Sequence, residues 1–193
     1  MARDDRRASL LAAAARVIAE RPTERLTFEA IAAAAGVSPT LPYKYFESAE
    51  DVALQLYTSI VDDIDARTDE ILADDGPFDD KVRAAVLLWC TLVERDDFLF
   101  VRLAEGANAA ALARAVQRRR ERIVDVWADQ LVEAFGLDPM SARLVAASVT
   151  SGASSVIQRI FAERLDRDDV ADLLVRLVRA QAEAAGIRRS SGR

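Results

Sequence analysis

Tyr43, Lys44 and Tyr45 form the part of the sequence best suited to bind a polyanion. A lysine ammonium and two phenolic hydroxyls can donate hydrogen bonds to phosphate oxygens, and the hydroxyls of Ser38 and Thr40 just upstream can reach base edges. The chain contains no histidine and a single cysteine, which removes the commonest general base and metal ligand. We therefore predict nucleic-acid contact, with no catalytic residue, no metal site and no cofactor.

Two short helices separated by a glycine are predicted within residues 27–46. Thr27 has the side chain of an N-cap, and Gly36 can adopt the left-handed conformation that ends a helix. Ser38 followed by Pro39 is typical of the start of a second helix, because serine caps it and proline tolerates its first position. The pattern indicates a helix-turn-helix.

The sequence predicts seven DNA-contacting side chains in this segment: Thr27, Ser38, Pro39, Thr40, Tyr43, Lys44 and Tyr45. Those at the front of the second helix would meet base edges in the major groove, and the aromatic and basic ones would flank the backbone. The alternative for one of the tyrosines is packing against a neighbouring helix. Because the segment lacks arginine and asparagine, it does not predict an operator sequence.

Residues 35–38, Ala-Gly-Val-Ser, followed by residues 43–46, Tyr-Lys-Tyr-Phe, resemble the helix-turn-helix of the TetR family of bacterial transcriptional regulators. The similarity covers residues 6–57 by motif and the rest of the chain by helix order and length. This resemblance implies a dimeric regulator, most often a repressor. Such a protein binds a pseudo-palindromic operator in double-stranded DNA and responds to a small-molecule effector.

Three positions depart from the family pattern. Leu41 replaces a small or hydroxyl residue, Pro42 replaces a buried aliphatic residue, and Ala49 replaces a lysine that often binds phosphate. Pro42 has no N–H to bond the Ser38 carbonyl, so we expect a slightly distorted first turn with the rest of the second helix intact. These departures leave open an alternative, a helical interaction protein that has lost DNA binding.

Periodicity predicts an all-α fold, because apolar residues recur at helical spacing and no run alternates as a strand would. We expect an N-terminal three-helix DNA-binding domain in residues 1–50 and a larger helical ligand-binding and dimerisation domain in residues 51–193. The predicted helices are 5–20, 27–35, one from Ser38, one after Ser48 to about 74, 78–94, 97–105, 109–135, 140–165 and 168–185.

The formal net charge is −6, yet residues 1–50 carry equal numbers of basic and acidic residues, so only this region is compatible with DNA. Arg3, Arg6 and Arg7 either reach the DNA backbone or belong to a solvated tail. No apolar run approaches the roughly 20 residues that span a bilayer, so we expect no membrane partner and a cytoplasmic protein. A helical hydrolase is disfavoured, because the sequence contains neither a histidine nor a glycine-rich phosphate loop.

Residues of the last two helices repeat at helical spacing and predict a homodimer interface, with internal core as the alternative. They are Val145, Val149, Gly152, Val156, Ile160, Val170, Leu174, Leu177 and Gln181. The resemblance to the TetR family implies an effector cavity between the motif and these helices, where aromatic residues concentrate, and such a pocket would favour an apolar ligand, with aromatic core as the alternative for each one. The proposed pocket residues are Trp89, Phe98, Phe100 and Trp127.

Overall fold

The computed structural model describes residues 3–21, 25–95, 98–106 and 110–186, apart from the side chains of residues 153, 154, 157 and 158. Within these ranges the chain forms eight α-helices and one 3-10 turn, and no strand, which confirms the all-α prediction. The elements are α1 (Arg3–Glu20), α2 (Phe28–Ala35), the 3-10 turn (Pro42–Lys44), α3 (Ala49–Ala73), α4 (Phe78–Arg95), α5 (Leu99–Glu105), α6 (Ala110–Phe135), α7 (Pro139–Glu163) and α8 (Arg167–Ala185).

Helix α2 begins and ends where its local sequence predicts. The Thr27 Oγ1 atom accepts a hydrogen bond from the Ala30 N–H at 3.2 Å, so Thr27 is the N-cap. Gly36 has φ 65° and ψ 36°, in the left-handed region, and the Val37 N–H donates to the Ala32 carbonyl at 3.0 Å. These bonds satisfy the carbonyl groups at the helix end and reverse the chain direction.

The expected second helix of the helix-turn-helix is the main difference from the sequence prediction. Residues 38–41 form turns and a bend, and only Pro42–Lys44 are helical, in a 3-10 turn. Pro42 has no N–H to donate to the Ser38 carbonyl, and this carbonyl accepts from the Leu41 N–H at 2.9 Å instead, which tightens the path. The distortion therefore extends through the segment and is not confined to its first turn.

One compact unit consists of Met1–Asp65 and Leu92–Gln117. Helix α1 packs against α2, and small buried alanines on both helices allow their backbones to approach closely. Helix α5 packs against α1, where the Arg102 Nη1 atom donates to the Ala19 carbonyl at 3.0 Å. The Phe100 ring stacks on Tyr57 of α3, with ring centroids 5.6 Å apart. A segment distant in sequence therefore completes the unit that contains the 3-10 turn.

The other compact unit consists of Ala66–Thr91 and Arg118–Arg193. Its buried core is formed by Val82, Ala128, Leu131, Leu137, Ala142, Val145, Ala146, Val178 and Ala182. Helices α7 and α8 pack on each other, and Arg83 of α4 forms ion pairs with Asp168 and Asp172 of α8. The first two turns of α8 are thus tied to α4 within this unit.

Some of the residues predicted to form the homodimer interface face this core. Val145 is 7% exposed and Val149 packs against the same cluster, while Val170 is also buried. Among the described side chains of α7, Met140 and Leu144 are exposed large apolar residues, and of the predicted interface residues Gly152, Leu177 and Gln181 are exposed. Val145 and Val149 therefore belong to internal core, the alternative for these positions, and the dimer interface stays a prediction.

In the described ranges no helix has both the length and the apolarity needed to cross a bilayer. The same residues contain no group of three or more histidine, cysteine, aspartate or glutamate side chains placed to hold a metal ion.

Gly36→Ala should lower the free energy of unfolding by about 1–2 kcal/mol, because a Cβ is disfavoured in the left-handed conformation. No heavy atom lies within 4 Å of the position that the new Cβ would occupy, so the loss comes from the backbone and not from a clash. Urea denaturation measures this change. Gly36→Asn should lose less of the free energy of unfolding than Gly36→Ala. Equal stability of the alanine variant and the wild type would contradict the requirement for glycine in this left-handed conformation.

Candidate nucleic-acid interface

The recognition segment, defined as residues 38–46, follows a tight helical path on the surface beside α2. The Leu41 N–H donates to the Ser38 carbonyl at 2.9 Å, and the Lys44 N–H donates to the Leu41 carbonyl at 3.0 Å. Both the Tyr45 and the Phe46 N–H groups donate to the Pro42 carbonyl, at 2.9 and 3.0 Å. The segment thus turns through i→i+3 bonds and closes with an i→i+4 bond at Phe46.

Six of the seven predicted DNA-contacting residues are exposed: Thr27, Ser38, Pro39, Thr40, Tyr43 and Lys44. The seventh, Tyr45, is half-buried. The hydroxyl oxygens of Ser38 and Thr40 lie 2.9 Å apart and hydrogen-bond to each other, yet each keeps capacity for a further partner. The segment therefore presents hydroxyl, aromatic and ammonium groups together to solvent.

Tyr43 combines an anchored ring with a large exposed surface. Its ring meets the edge of Phe28, with centroids 4.6 Å apart and an interplanar angle of 77°. Phe28 is 6% exposed, whereas Tyr43 is 61% exposed. Edge-to-face pairs of this kind stabilise a defined ring orientation. Tyr43 thus packs on α2 and still offers much of its side chain to a partner.

Arginines of α1 tie this helix to its neighbours. Arg7 donates to the Gln55 side chain of α3, and its guanidinium lies 5.7 Å from the centre of the Phe46 ring. Arg16 donates to the Ala34 carbonyl at 2.9 Å, near the end of α2. Because α1 begins at Arg3, residues 3–7 are helical, which argues against the solvated tail, one of the two alternatives for these arginines. Arg7 therefore has a structural role.

The start of α3 places a further cation near the recognition segment. The Ser48 Oγ atom accepts from the Asp51 N–H at 3.0 Å, which confirms the predicted cap of α3. Arg25 forms an ion pair with Glu50, and the Arg25 side chain is 83% exposed. Sequence reasoning missed Arg25, since its partner lies too far along the chain for any local pattern to link them. Arg25 joins the candidate interface.

The Arg25 guanidinium hydrogen-bonds to the Glu50 carboxylate and, with the Glu50 backbone N–H and the Ser48 hydroxyl, lowers the pKa of Glu50 below its ordinary value of 4.5. Hydrogen bonds to the ionised form favour that form. The start of α3 therefore carries a paired carboxylate at neutral pH, so Glu50 presents less uncompensated negative charge than an unpaired carboxylate would.

The four predicted effector residues fall into separate compact units. Trp89 and Trp127 are half-buried in the unit with α7 and α8, where Trp127 meets the Phe78 ring edge with centroids 6.3 Å apart. Phe98 and the buried Phe100 belong to the unit with α1 and α2. An open groove of about 590 Å³ is lined by other residues: Arg67, Glu70, Ile71, Asp74, Asp80, Lys81, Ala84 and Leu88. The effector pocket stays a prediction.

Helix α2, the Gly36 turn and the exposed recognition segment follow one another in the order of a helix-turn-helix, and the regular elements of the described residues are all helical. Residues 10–56 match the family profile "Bacterial regulatory proteins, tetR family", and this range contains α2 and the whole recognition segment. This match shows that residues 10–56 are similar to the segment that the profile describes, and the structural similarities below show that the chain shares the fold of TetR-like regulators.

Solved structures share the fold along nearly the whole chain. A TetR-like transcriptional regulator from Rhodococcus sp. RHA1 is 24% identical, with 92% of this chain and 96% of that chain covered and a TM-score of 0.75. A tetR-family regulator from Streptomyces coelicolor is 22% identical, with 96% of this chain and 83% of that chain covered and a TM-score of 0.74. The fatty acid degradation regulator FadR from Bacillus halodurans is 20% identical, with 96% of each chain covered and a TM-score of 0.62. Among curated proteins no sequence matches the chain.

Glu50→Gln should reduce stability at about pH 7 and have progressively less effect as the pH falls toward about pH 3. The lowered pKa of Glu50 means that its stabilising contribution is present above the unfolded-state pKa and is lost as the pH falls through the folded-state pKa. Thermal unfolding across this pH range measures the difference. The stability difference between Arg25→Gln and the wild type should vary with pH in the same way. A difference that does not change with pH, in either variant, would contradict the Arg25–Glu50 ion pair as its cause.

Proposed function

We propose that the protein is a homodimeric repressor that binds a pseudo-palindromic DNA operator through the recognition segments of two copies. A small apolar or aromatic effector releases it from DNA. The observation that carries this proposal is the recognition segment itself, where Tyr43 is anchored on Phe28 and yet 61% exposed beside the exposed Lys44. Its ligand would be chromosomal DNA, so we expect it to act in the cytoplasm.

DNA contact would divide between the two halves of the recognition segment. Lys44 would bind a backbone phosphate as a point charge, and the Tyr43 and Tyr45 hydroxyls would donate hydrogen bonds to neighbouring phosphates. Ser38, Pro39 and Thr40 would face base edges in the major groove. Thr27 and the exposed Arg25 would add backbone contacts on either side. These contacts need no group that performs covalent chemistry, so we do not propose an enzyme.

Dimer formation would use exposed apolar side chains on α7 and α8. Met140 and Leu144 on α7 and Leu173 and Leu177 on α8 are between 45% and 66% exposed. Large apolar side chains repeated along two packed helices favour association with a second copy. A dimer also gives two recognition segments, and two half-sites one DNA turn apart provide the specificity that a single short segment lacks.

Effector release would require that the ligand bind one arrangement of the dimer more tightly than the other. A shift that frees most of the DNA-bound protein needs a difference in binding free energy of several kcal/mol. Trp89, Phe98, Phe100 and Trp127 remain our candidates for ligand contact. The similar FadR of Bacillus halodurans is named for fatty acid degradation, which is consistent with an apolar effector for this chain.

Lys44→Gln should weaken binding to specific and unrelated DNA alike and lower the slope of log Kobs against log salt by about 2, one phosphate contact for each copy. Electrophoretic mobility shifts measure this with a duplex from upstream of the protein's own gene and an unrelated duplex of equal length. Arg114→Gln removes one exposed charge from α6 and is the matched control, with no change expected in the slope. Failure of the wild type to bind either duplex would favour the helical interaction protein.

Leu144→Glu should raise the dimer dissociation constant by about a hundredfold or more, because a two-fold interface buries each substitution twice. Size-exclusion chromatography with light scattering measures the mass at several concentrations. Leu165→Glu is the matched control, since Leu165 is an exposed leucine in the turn between α7 and α8 and should leave the dimer intact. A stable dimer of Leu144→Glu and of Leu177→Glu would contradict this interface.

A further inference from the structure

We propose that Pro42 determines the DNA sequence preference of the protein, because it keeps the recognition segment in a tight path of i→i+3 hydrogen bonds, with a 3-10 turn at Pro42–Lys44, in place of an α-helix. This inference rests on the DNA-binding function proposed above. Pro42 need not contact DNA for this role, since its ring is fully buried. It would act by positioning the exposed side chains on either side of it.

The hydrogen bonds of the segment show how the proline acts. An α-helix from Ser38 would bond the N–H of residue 42 to the Ser38 carbonyl, and proline has no such N–H. The carbonyl accepts from Leu41 instead, and the next bond, from Lys44 to Leu41, spans three residues as well. The Ser38 and Thr40 hydroxyls, 2.9 Å apart, add a side-chain bond within the same turn.

Both ends of this path are fixed. The left-handed Gly36 and its bonds to the end of α2 set where the segment starts. Phe46 is 4% exposed and lies under the Arg7 guanidinium, which sets where it ends. Between them the Tyr43 ring rests on Phe28 of α2. The tight path is therefore held by packing on both sides of Pro42.

The path changes the relative direction of the DNA-facing side chains. From Thr40 to Tyr43 a 3-10 path turns about 360° and rises about 6 Å, whereas an α-helix turns about 300° and rises about 4.5 Å. A difference of about 60° moves a side-chain tip at a radius of about 5–6 Å by a similar distance. That distance exceeds the rise of about 3.4 Å between stacked base pairs, so with Tyr43 on the same phosphate, Thr40 would face a different base pair on the two paths.

Selection of binding sequences from a random duplex library, with wild type, Pro42→Ala and Pro42→Leu, tests the inference. Both substitutions restore the N–H of residue 42, alanine with a smaller side chain and leucine with the kind of buried aliphatic side chain that the family pattern has at this position. We expect each folded variant to bind DNA with a changed base preference, with a change of about tenfold in relative affinity at one or more positions of the half-site. Pro77→Ala, an exposed proline before α4, is the matched control and should select the wild-type sequence.

Backbone chemical shifts and amide exchange provide the second readout. In Pro42→Ala the new N–H of residue 42 should be protected from exchange, with α-helical shifts across residues 38–46. Variants that select the wild-type sequence, or that keep the 3-10 shifts, would overturn the role of Pro42 while leaving the proposed function intact. A wild-type protein that enriches no sequence would instead contradict the DNA-binding function, and this inference with it.

Discussion

The left-handed backbone at Gly36 is the constraint on which the DNA-facing surface depends. With φ at 65°, the N–H groups of Gly36 and Val37 return to carbonyls of α2, and the chain leaves the helix in a fixed direction. That direction sets the position of the recognition segment that follows. Tyr43 can reach Phe28 only because the chain turns back along α2 at this point. A side chain at residue 36 would act against this geometry without touching any neighbour.

Local signals in the sequence located most helix ends, because capping is a short-range interaction. Thr27 and Ser48 accept hydrogen bonds from N–H groups three residues ahead, and the Asp138 side chain accepts from the N–H groups of Met140 and Ser141, two and three residues ahead, at the start of α7. Glycine at positions 36 and 136 is left-handed in both cases, as expected for a residue that follows a helix. Each of these interactions is settled within about one helical turn, so a single sequence contains enough information to predict it.

Other features depend on which of several possible hydrogen bonds or apolar contacts forms, or on residues distant in sequence, and the sequence could not predict them. Pro42 clearly removes one donor, but whether the Ser38 carbonyl then stays open or accepts from Leu41 is decided by the packing of the whole segment. Val145 and Leu144 are adjacent apolar residues, and only the position of the neighbouring helices determines that the first is buried and the second exposed. Arg7 meets Gln55 and Phe46, and Arg25 meets Glu50, through folding alone.

Helix α5 has a consequence for how the chain must be synthesised and folded. It belongs to the same compact unit as α1, yet it follows α1 by some eighty residues, and its Phe100 covers the buried Tyr57 ring while Arg102 bonds the Ala19 carbonyl. A nascent chain that has emerged only as far as residue 65 would leave that ring in water and that carbonyl without its donor. The amino-terminal unit therefore gains these two contacts only after residues 92–117 have left the ribosome, and a chain truncated at residue 65 would lack both.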